Sequence, residues 1–292
     1  MTGNPTAWQL DNISNTLIDL ALREDLGQPW LDITTATLFA GEKVAGEARI
    51  ISKHPESIII CGLSLLKTLF AKLDHTCQFH STYQDGQLLL PSSTLVTINA
   101  DRQALLMAER ITLNFLRHLS AIASLTAKFV AKVAHTKLQI LDTRKTTPGL
   151  RQLEKYAIQC GGGVNHRMGL YDAIMIKDTH VDMIGGMAKA LAKLPLQEKM
   201  TVIVEVRDLE ELQVALQLGR NKLTRILLDN MSLADMRIAV DRCRGIFPTE
   251  ASGNINLDTI TAIAETGVDY ASVGMLTYAA GQVDLSMQVG RV

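Results

Sequence analysis

In the first third of the chain, segments with the hydrophobic pattern of helices and segments with that of strands follow one another in no regular order. Apolar residues at helical spacing predict a helix over residues 12–26 and another over 62–73. Runs rich in β-branched residues predict strands at 48–51, 57–60 and 94–100. A mixture of strands and helices without strict alternation favours an α+β domain.

A long helical pattern follows this region. Asp101 is a potential N-cap for a helix that starts at Arg102, and Ser120 is a potential cap for a second helix that runs to about Ala134. No linker rich in proline or glycine marks a transition. We therefore place a domain boundary inside the helical stretch, after residue 117.

From Lys137 onward the pattern changes to short apolar runs separated by helical segments. The runs are Leu138–Leu141, Ala173–Ile176, Val202–Val206, Ile226–Leu228, Gly245–Phe247 and Tyr270–Val273. Continuous apolar runs that alternate with helices are typical of buried parallel strands. Because the units repeat evenly and no dinucleotide-binding fingerprint is present, an α/β barrel is favoured over an open sheet.

Polar and charged residues lie in these runs or directly after them. In chain order they are Asp142, Thr143, Arg144, Lys145, Lys177, Glu205, Asp229, Glu250, Ser252, Gly253, Asn254 and Gly274. The carboxyl ends of barrel strands meet on one face, on which active sites are built. The pattern therefore predicts one site at that face.

Three glycines, Gly161 to Gly163, precede His166 and Arg167 by a few residues. Consecutive glycines let the backbone approach a ligand closely, but they also form ordinary flexible turns. Neither phosphate-loop motif, G-x-x-x-x-G-K-[ST] or G-x-G-x-x-G, is present. The adjacent His-Arg pair makes a role in anion binding the stronger interpretation.

Composition narrows the class of protein. The chain has 292 residues, 47% hydrophobic and 20% charged, with a formal net charge of −1. These values indicate a globular protein and predict no general attraction to nucleic acid or anionic membranes. The four cysteines lie far apart, which fits neither a zinc site nor a disulfide framework, and Met1 to Asn12 do not resemble a signal peptide. We therefore expect a cytoplasmic location.

The charge types indicate the chemistry of the site. Arginine matches carboxylates and phosphates with a planar fork, and lysine adds a point charge. Glu205 and Asp229 would repel an anion unless a divalent cation or ribose hydroxyls lay between them, and Mg²⁺ favours one or two carboxylates plus substrate phosphates. The simpler alternatives are a solvated strand-end lysine for Lys177 and a helix cap for Asp229.

Several long motifs resemble the quinolinate phosphoribosyltransferase family, which is also called nicotinate-nucleotide pyrophosphorylase. They are D-T-R-K-T-T-P-G-L-R at Asp142–Arg151, K-Y-A-I-Q-C-G-G-G-V-N-H-R-M-G-L-Y-D at Lys155–Asp172, I-K-D-T-H at Ile176–His180, L-L-D-N at Leu227–Asn230, E-A-S-G-N at Glu250–Asn254 and E-T-G-V-D-Y-A-S-V-G at Glu265–Gly274. With shorter matches near the N-terminus, the resemblance runs from about Leu20 to Ser286.

The resemblance implies a fold and an activity. The fold would be an N-terminal α+β sandwich over residues 1–117, joined to an incomplete, seven-strand-type α/β barrel over 118–278, with the tail 279–292 returning to the first domain. The activity would be that of a pentosyltransferase in NAD biosynthesis. It would convert quinolinate and phosphoribosyl pyrophosphate to nicotinate mononucleotide, carbon dioxide and pyrophosphate with Mg²⁺.

The resemblance also implies roles for individual residues. The quinolinate-binding set would be Arg110, Arg144, His166, Arg167 and Lys177. The set around phosphoribosyl pyrophosphate would be Thr143, Lys145, Glu205, Asp229, Ser252, Gly253, Asn254 and Gly274, with magnesium near Glu205 and Asp229. Arg110 matches a family arginine that reaches the neighbouring subunit's site, so a homodimer or larger assembly is expected. Tyr278 stands where many relatives carry His or Lys.

Three other interpretations remain open. A molybdenum-associated relative of the same fold would act on another base, and a nicotinate-specific transferase would bind one carboxylate instead of two. A non-catalytic anion-binding protein would gain nothing from Glu205 and Asp229. The number of cations favours the dicarboxylate substrate.

Overall fold

The computed structural model describes residues 12–39, 42–196 and 200–291. The helices are α1 (Asn12–Leu26), α2 (Ile33–Leu38), α3 (Leu63–Leu73), α4 (Arg102–Val133), α5 (Arg151–Cys160), α6 (Asp178–Ile184), α7 (Met187–Ala192), α8 (Leu209–Leu218), α9 (Leu233–Cys243), α10 (Ile260–Ala264) and α11 (Met275–Tyr278). Most of the N-terminal segment considered for a signal peptide lies outside the described residues. In the part of the chain that is described, no helix is long and apolar enough to cross a membrane.

The strands form one antiparallel and one parallel sheet, with a short two-stranded ladder besides. They are β1 (Ala45–Ser52), β2 (Ile58–Ile59), β3 (Gln78–His80), β4 (Leu88–Leu89), β5 (Thr94–Asp101), β6 (Gln139–Leu141), β7 (Ile174–Ile176), β8 (Val202–Val206), β9 (Arg225–Asp229), β10 (Thr249–Ser252), β11 (Tyr270–Ser272) and β12 (Leu285–Arg291). Two compact units result. One contains the described residues up to Leu125 with Gln152–Gly162 and the segment from Ala280 onward; the other contains Thr126–Arg151 and Gly163–Ala279.

The first unit is built on the antiparallel sheet, whose strand order is β12-β1-β5-β3. Along β1 every second side chain is buried, including Ala48 and Ile50, because alternate residues of a strand point to one face. Phe70 of α3 meets Phe79 of β3 edge to face at 5.6 Å between ring centroids. The C-terminal strand β12 pairs with β1, with Ser52 opposite Leu285.

Helix α4 is continuous, so the prediction of two helices separated at Ser120 is wrong. The Ser120 hydroxyl accepts a hydrogen bond from the Cys61 amide at 3.1 Å and donates to the Cys61 carbonyl at 3.3 Å. Because these contacts occupy the hydroxyl, it satisfies a neighbouring loop and caps no helix. Asp101 does accept a hydrogen bond from the Gln103 amide at 2.9 Å, as expected of an N-cap.

The second unit is an incomplete parallel barrel. Its strand order is β6-β11-β10-β9-β8-β7, and Val164 adds a single parallel bridge to Leu141 on the free edge of β6. Among the described residues no ladder joins β7 to the Val164 segment, so the barrel is open there. Six strands and this bridge make seven strand positions, and the predicted α/β architecture is confirmed. All five side chains of β8 are buried, as expected of a parallel strand covered on both faces.

The fifth barrel strand lies further along the chain than the apolar pattern predicts. Residues 245–247 form a turn at the end of α9, in which the amides of Ile246 and Phe247 both bond the Cys243 carbonyl and Gly245 has a φ of +72°. The apolar side chain of Phe247 is buried at a helix end instead of in a ladder. The strand is β10, and Glu250 therefore lies inside it, where the sequence had indicated a residue beyond its end.

Candidate active site

A cavity of about 560 Å³ opens at the carboxyl ends of the barrel strands. It is lined by Asp142, Thr143, Arg144, Lys145, His166, Arg167, Met175, Lys177, Glu205, Leu227, Asp229, Asn230, Glu250, Ser252, Gly253, Asn254, Ile255, Ser272, Gly274 and Tyr278. Every predicted site residue except Arg110 is in this set. The expectation that the strand ends converge on one face is therefore confirmed.

The loop after β6 is held by three hydrogen bonds, one of them to a buried carboxylate. Asp142 is fully buried, and its carboxylate accepts a hydrogen bond from the His166 amide at 2.9 Å. The Thr143 hydroxyl accepts from the Lys145 amide at 3.1 Å, and the Lys145 carbonyl accepts from the Thr277 hydroxyl at 2.6 Å. These contacts fix the backbone from which Arg144 and Lys145 project.

Arg151 connects this loop to the segment that carries His166 and Arg167. Its Nε donates to the Thr146 hydroxyl at 3.0 Å, and its Nη1 donates to the Met168 carbonyl at 3.2 Å. The glycine-rich turn contributes Gly162, whose φ of +87° lies in the left-handed region that favours glycine. The two segments that carry the arginines are thus joined by side-chain hydrogen bonds.

Arg144 and Arg167 form the cationic side of the cavity. Burial, followed by the nearby charge of Arg144, lowers the pKa of Arg167 below its ordinary value. The Arg167 Nη1 donates to the Ala173 carbonyl at 3.1 Å, which holds the guanidinium at the cavity wall. Two like charges held together in a partly buried site are stabilised when an anion binds between them.

Glu205 and Asp229 form the acidic side. Glu205 is only 9% exposed. Burial, and then the charge of Asp229, raise the pKa of Glu205 to about 7, while Lys177 acts in the opposite direction. Ionising a carboxylate that is buried within an apolar strand is costly without a cation or hydrogen bonds, which agrees with this elevated pKa.

The ends of β9 and β10 are joined by the amide side chains of Asn254, which the sequence analysis selected, and Asn230, which it did not. Asn230 donates to the Asp229 carboxylate at 2.8 Å and accepts from the Asn254 side chain at 3.1 Å. Gly253 has a φ of +97°, and a Cβ at that position would overlap the Asn230 amide. The L-D-N and S-G-N motifs thus form one hydrogen-bonded cluster, which only the pairing of β9 with β10 brings together.

A second set of contacts in the cavity wall surrounds the fully buried Glu250. One carboxylate oxygen pairs with Arg225 Nη1 at 2.8 Å. The other faces His166 Nε2 at 3.3 Å and accepts a hydrogen bond from the Ser272 hydroxyl. Burial by itself would raise the pKa of Glu250, yet His166, Arg225 and Ser272 together hold it below the ordinary value. The displaced strand prediction concealed this role, because it put Glu250 outside the strand.

Gly274 brings Lys145 and Tyr278 together at the end of β11. A Cβ at Gly274 would lie 3.1 Å from both Lys145 Cδ and Tyr278 Cε1, so a larger residue would crowd both side chains. Tyr278 lines the cavity and is largely exposed. A phenol therefore stands where the resemblance led us to expect a basic group.

Arg110 is the predicted residue that this cavity does not include. It belongs to the first unit, on α4, and its side chain is 59% exposed. Its Nη2 lies 3.8 Å from a carboxylate oxygen of Glu109, its sequence neighbour, which is a weak surface contact. Within one chain the guanidinium is therefore exposed to solvent.

Comparison with known proteins identifies the relatives of this chain. Residues 122–288 match the model of the quinolinate phosphoribosyl transferase C-terminal domain, and residues 32–120 match that of the N-terminal domain. The chain is 38% identical over 290 residues to quinolinate phosphoribosyltransferase [decarboxylating] 1b of Nicotiana tabacum, covering 94% of this chain and 81% of the relative. It is 39% identical over 275 residues to a probable nicotinate-nucleotide pyrophosphorylase [carboxylating] of Synechocystis, covering 92% and 90%. The solved nicotinate-nucleotide pyrophosphorylase of Francisella tularensis superposes with a TM-score of 0.90 at 38% identity, covering 99% of this chain and 100% of that one.

Proposed function

The chain belongs to the quinolinate phosphoribosyltransferase family, and from that premise we propose how its barrel cavity divides the family's reaction among its residues. It is a pentosyltransferase of NAD biosynthesis that joins quinolinate to phosphoribosyl pyrophosphate and releases carbon dioxide and pyrophosphate. The observation that carries the proposal is the presence of cations and of the acidic pair Glu205 and Asp229 in one cavity of about 560 Å³.

The cationic side binds quinolinate in this proposal. Arg144, Arg167 and Lys177 contact the two carboxylates, with His166 beside them. Support comes from the lowered pKa of Arg167, since the repulsion that contributes to it is relieved by a dianion. Arginine forks are also well suited to carboxylate oxygens. A monocarboxylate such as nicotinate would leave part of this cationic charge uncompensated.

The opposite side binds phosphoribosyl pyrophosphate. Its phosphates interact with Lys145 and with the backbone and side chains at the ends of the strands, namely Thr143, Ser252, Gly253, Asn254 and Gly274. In this proposal Glu205 and Asp229 contact the ribose hydroxyls, or a substrate-bound cation, that lie between the two carboxylates. Burial and then the charge of Asp229 raise the pKa of Glu205 to about 7, and the second of these causes supports this assignment.

The acidic pair fits magnesium that arrives with the pyrophosphate better than magnesium held by protein alone. Within the described residues no group of three or more His, Cys, Asp or Glu side chains is arranged to hold a metal ion. Two carboxylates plus substrate phosphates suffice for Mg²⁺. When bound, the ion would neutralise charge on the departing pyrophosphate, and Glu205 and Asp229 would hold it directly or through water.

The reaction requires two changes of bonding. The pyridine nitrogen forms a bond to the anomeric carbon as the bond from that carbon to pyrophosphate breaks, and the cationic side orients the ring for this attack. The carbon–carbon bond to the adjacent carboxylate then breaks and carbon dioxide leaves. The electron pair stays on the ring carbon, where the neighbouring pyridinium nitrogen stabilises it until the carbon takes up a proton.

Incubation of the protein with phosphoribosyl pyrophosphate, Mg²⁺ and either quinolinate or nicotinate tests the function. We expect nicotinate mononucleotide and one equivalent of carbon dioxide from quinolinate, measured by chromatography and by release of labelled carbon dioxide. Turnover of nicotinate with none of quinolinate would overturn the substrate assignment. Binding of both substrates without any turnover would favour an anion-binding protein.

We propose that Arg110 completes the site of a neighbouring subunit in a homodimer. Its exposed side chain on α4, which is not among the residues that line the cavity, supports this role. Assayed at quinolinate concentrations far below the variants' KM, Arg110→Ala and Lys177→Ala should each be nearly inactive. Mixing them should restore up to about a quarter of wild-type activity, since random pairing produces one intact site in half of the dimers. Subunit exchange is monitored with fluorescent labels; no restoration after full exchange would place Arg110 in its own subunit's site or outside any site.

A cytoplasmic location remains a prediction. Cys61, Cys77, Cys160 and Cys243 are free thiols in the structure, which suits a reducing compartment.

A further inference from the structure

The carboxylate of Glu250 is fully buried in the wall of the cavity, where it contacts three polar side chains. The ion pair with Arg225 at 2.8 Å already compensates the buried charge. The second oxygen nevertheless faces His166 Nε2 at 3.3 Å and accepts from Ser272. Glu250 thus contacts Arg225, at the start of β9, and His166, which lines the cavity. Through these two contacts it connects the barrel core to the binding surface.

The ring of His166 is held from two sides. The Arg167 amide donates to Nδ1 at 2.7 Å, so Nδ1 presents its lone pair and the ring proton lies on Nε2. Nε2 is the atom that faces Glu250, and the side chain is only 7% exposed. A carboxylate opposite one ring nitrogen selects the tautomer that carries its proton there.

This tautomer fixes the backbone of Arg167. The Nδ1 lone pair holds the Arg167 amide, while the guanidinium is tied to the Ala173 carbonyl at 3.1 Å. Ring, amide and guanidinium therefore form one series of contacts that begins at Glu250. If the proton moved to Nδ1, the Arg167 amide would face another N–H and the turn would have to shift.

We propose that Glu250 is a positioning residue for quinolinate: it selects the His166 tautomer that holds the Arg167 amide, and so aligns the Arg167 guanidinium with the dicarboxylate. This inference rests on the proposed function of the cavity. Glu250 does not touch substrate in this account. Its effect should therefore fall on the binding of quinolinate and leave that of phosphoribosyl pyrophosphate almost unchanged.

The competing explanation is that Glu250 only stabilises the barrel. Arg225 lies over the ring of Tyr270 at 3.9 Å, and its ion pair with Glu250 joins β9, β10 and β11. Removing both charges together distinguishes the two roles. Glu250→Gln alone leaves the half-buried Arg225 without its partner, whereas Glu250→Gln combined with Arg225→Gln does not.

The test is steady-state kinetics with the full-length protein. Glu250→Gln should raise the quinolinate KM by about tenfold or more, as loss of a group that orients a ligand-binding histidine commonly does, while kcat and the KM for phosphoribosyl pyrophosphate change by less than about threefold. The double variant should regain most of the lost thermal stability and keep the raised quinolinate KM. Phthalate, an ortho-dicarboxylate without the nucleophilic nitrogen, should lose affinity in parallel by calorimetry. Asp269→Asn, a carboxylate change at the other end of the strands, is the matched control.

The positioning role is wrong if Glu250→Gln leaves the quinolinate KM within about threefold of wild type, or if the double variant restores that KM together with stability. The double variant also keeps the test decisive if Glu250→Gln alone does not fold. Wild-type turnover of quinolinate in the same assay separates these outcomes from failure of the proposed function, because that function fails only if wild type itself does not use quinolinate.

Discussion

A carboxylate at the amino ends of the barrel strands and one at their carboxyl ends have pKa values shifted in opposite directions. At the amino ends, Asp269 accepts hydrogen bonds from the Thr249 amide at 2.8 Å and from Lys137 Nζ at 2.7 Å. Burial alone would raise the pKa of Asp269, but Lys137 and Thr249 hold it below the ordinary value. At the carboxyl ends, burial and then Asp229 raise the pKa of Glu205 to about 7.

The difference shows which end stabilises the fold and which end prepares for ligands. The amino-end carboxylate has its partners within the protein, so its charge favours the folded state. The carboxyl-end groups include cations beside cations and a carboxylate beside a carboxylate, an arrangement that costs stability until charged substrates bind. Barrel enzymes generally separate the two tasks in this way.

The largest expected effect comes from removing a cation at the carboxyl ends. Arg144→Ala or Lys177→Ala should lower kcat/KM for quinolinate by about 100-fold, because each removes a charged hydrogen bond worth about 2–3 kcal/mol. The change should appear mainly in the quinolinate KM. Lys137→Ala removes a cation at the amino ends and should leave both KM values unchanged. An unaltered quinolinate KM in either cavity variant would exclude that residue from the carboxylate site.

Two glycines that both have a positive φ allow the carboxyl and amino ends of the strands to be compared by glycine-to-alanine substitution. Gly253 at the carboxyl end has a φ of +97°, and Gly267 at the amino end has a φ of +85°. An alanine Cβ at Gly253 would overlap Asn230, whereas at Gly267 its nearest neighbour would be Val240 Cγ1 at 3.6 Å. Both substitutions should cost about 1 kcal/mol of stability for the left-handed backbone.

Only Gly253→Ala should affect catalysis. Displacing Asn230 moves the Asp229 carboxylate to which it donates, so we expect kcat/KM for phosphoribosyl pyrophosphate to fall by about tenfold or more. Gly267→Ala should have wild-type kinetics. Equal kinetic effects from the two variants would show that the Asn230 cluster has no special role.

Asp269→Asn should destabilise the protein without changing either KM. At pH 7 we expect a loss of about 1.5 kcal/mol in urea denaturation, since a charged acceptor of several hydrogen bonds is replaced by a neutral one. A lowered folded pKa gives stability that is present above the unfolded value of 3.8 and is lost as the pH falls through the folded pKa. The difference between variant and wild type should therefore shrink below pH 3.8. A difference independent of pH would rule out the charge as its source.

Glu205→Gln should have the opposite sign. A folded pKa of about 7 against an ordinary 4.5 means that ionised Glu205 disfavours the fold above pH 7, and that this cost disappears as the pH falls from 7 towards 4.5. The cavity is open to water, which screens the repulsion, so the ligand-free variant should be only about 1 kcal/mol more stable than wild type at pH 8. The two should be equally stable near pH 4.5. A variant less stable than wild type at pH 8 would contradict the electrostatic account.

Much of the barrel follows from local pattern. The run Val202–Val206 was predicted as a strand and is β8 with the same bounds. Four of its five residues are apolar, which suits a strand buried on both faces. The positions of Arg144, Lys177 and Asp229 at strand ends followed equally well. The break at Ser120 was wrong because a tertiary contact with Cys61 occupies the Ser120 hydroxyl. The strand at Gly245–Phe247 was wrong because a local turn forms there, in which two amides bond the Cys243 carbonyl.

By itself the sequence determined the alternation of strands and helices, the cations and acids at the strand ends, and the motifs that carry the family resemblance. These are properties of neighbouring residues, set by side-chain period and by residue type. Only the tertiary structure decided that Asp229 raises the pKa of Glu205, that Asn230 meets Gly253, and that Glu250 pairs with Arg225 and His166. Those outcomes depend on burial and on Coulomb interactions over a few ångströms between residues far apart in the chain, and such distances exist only after the strands have paired.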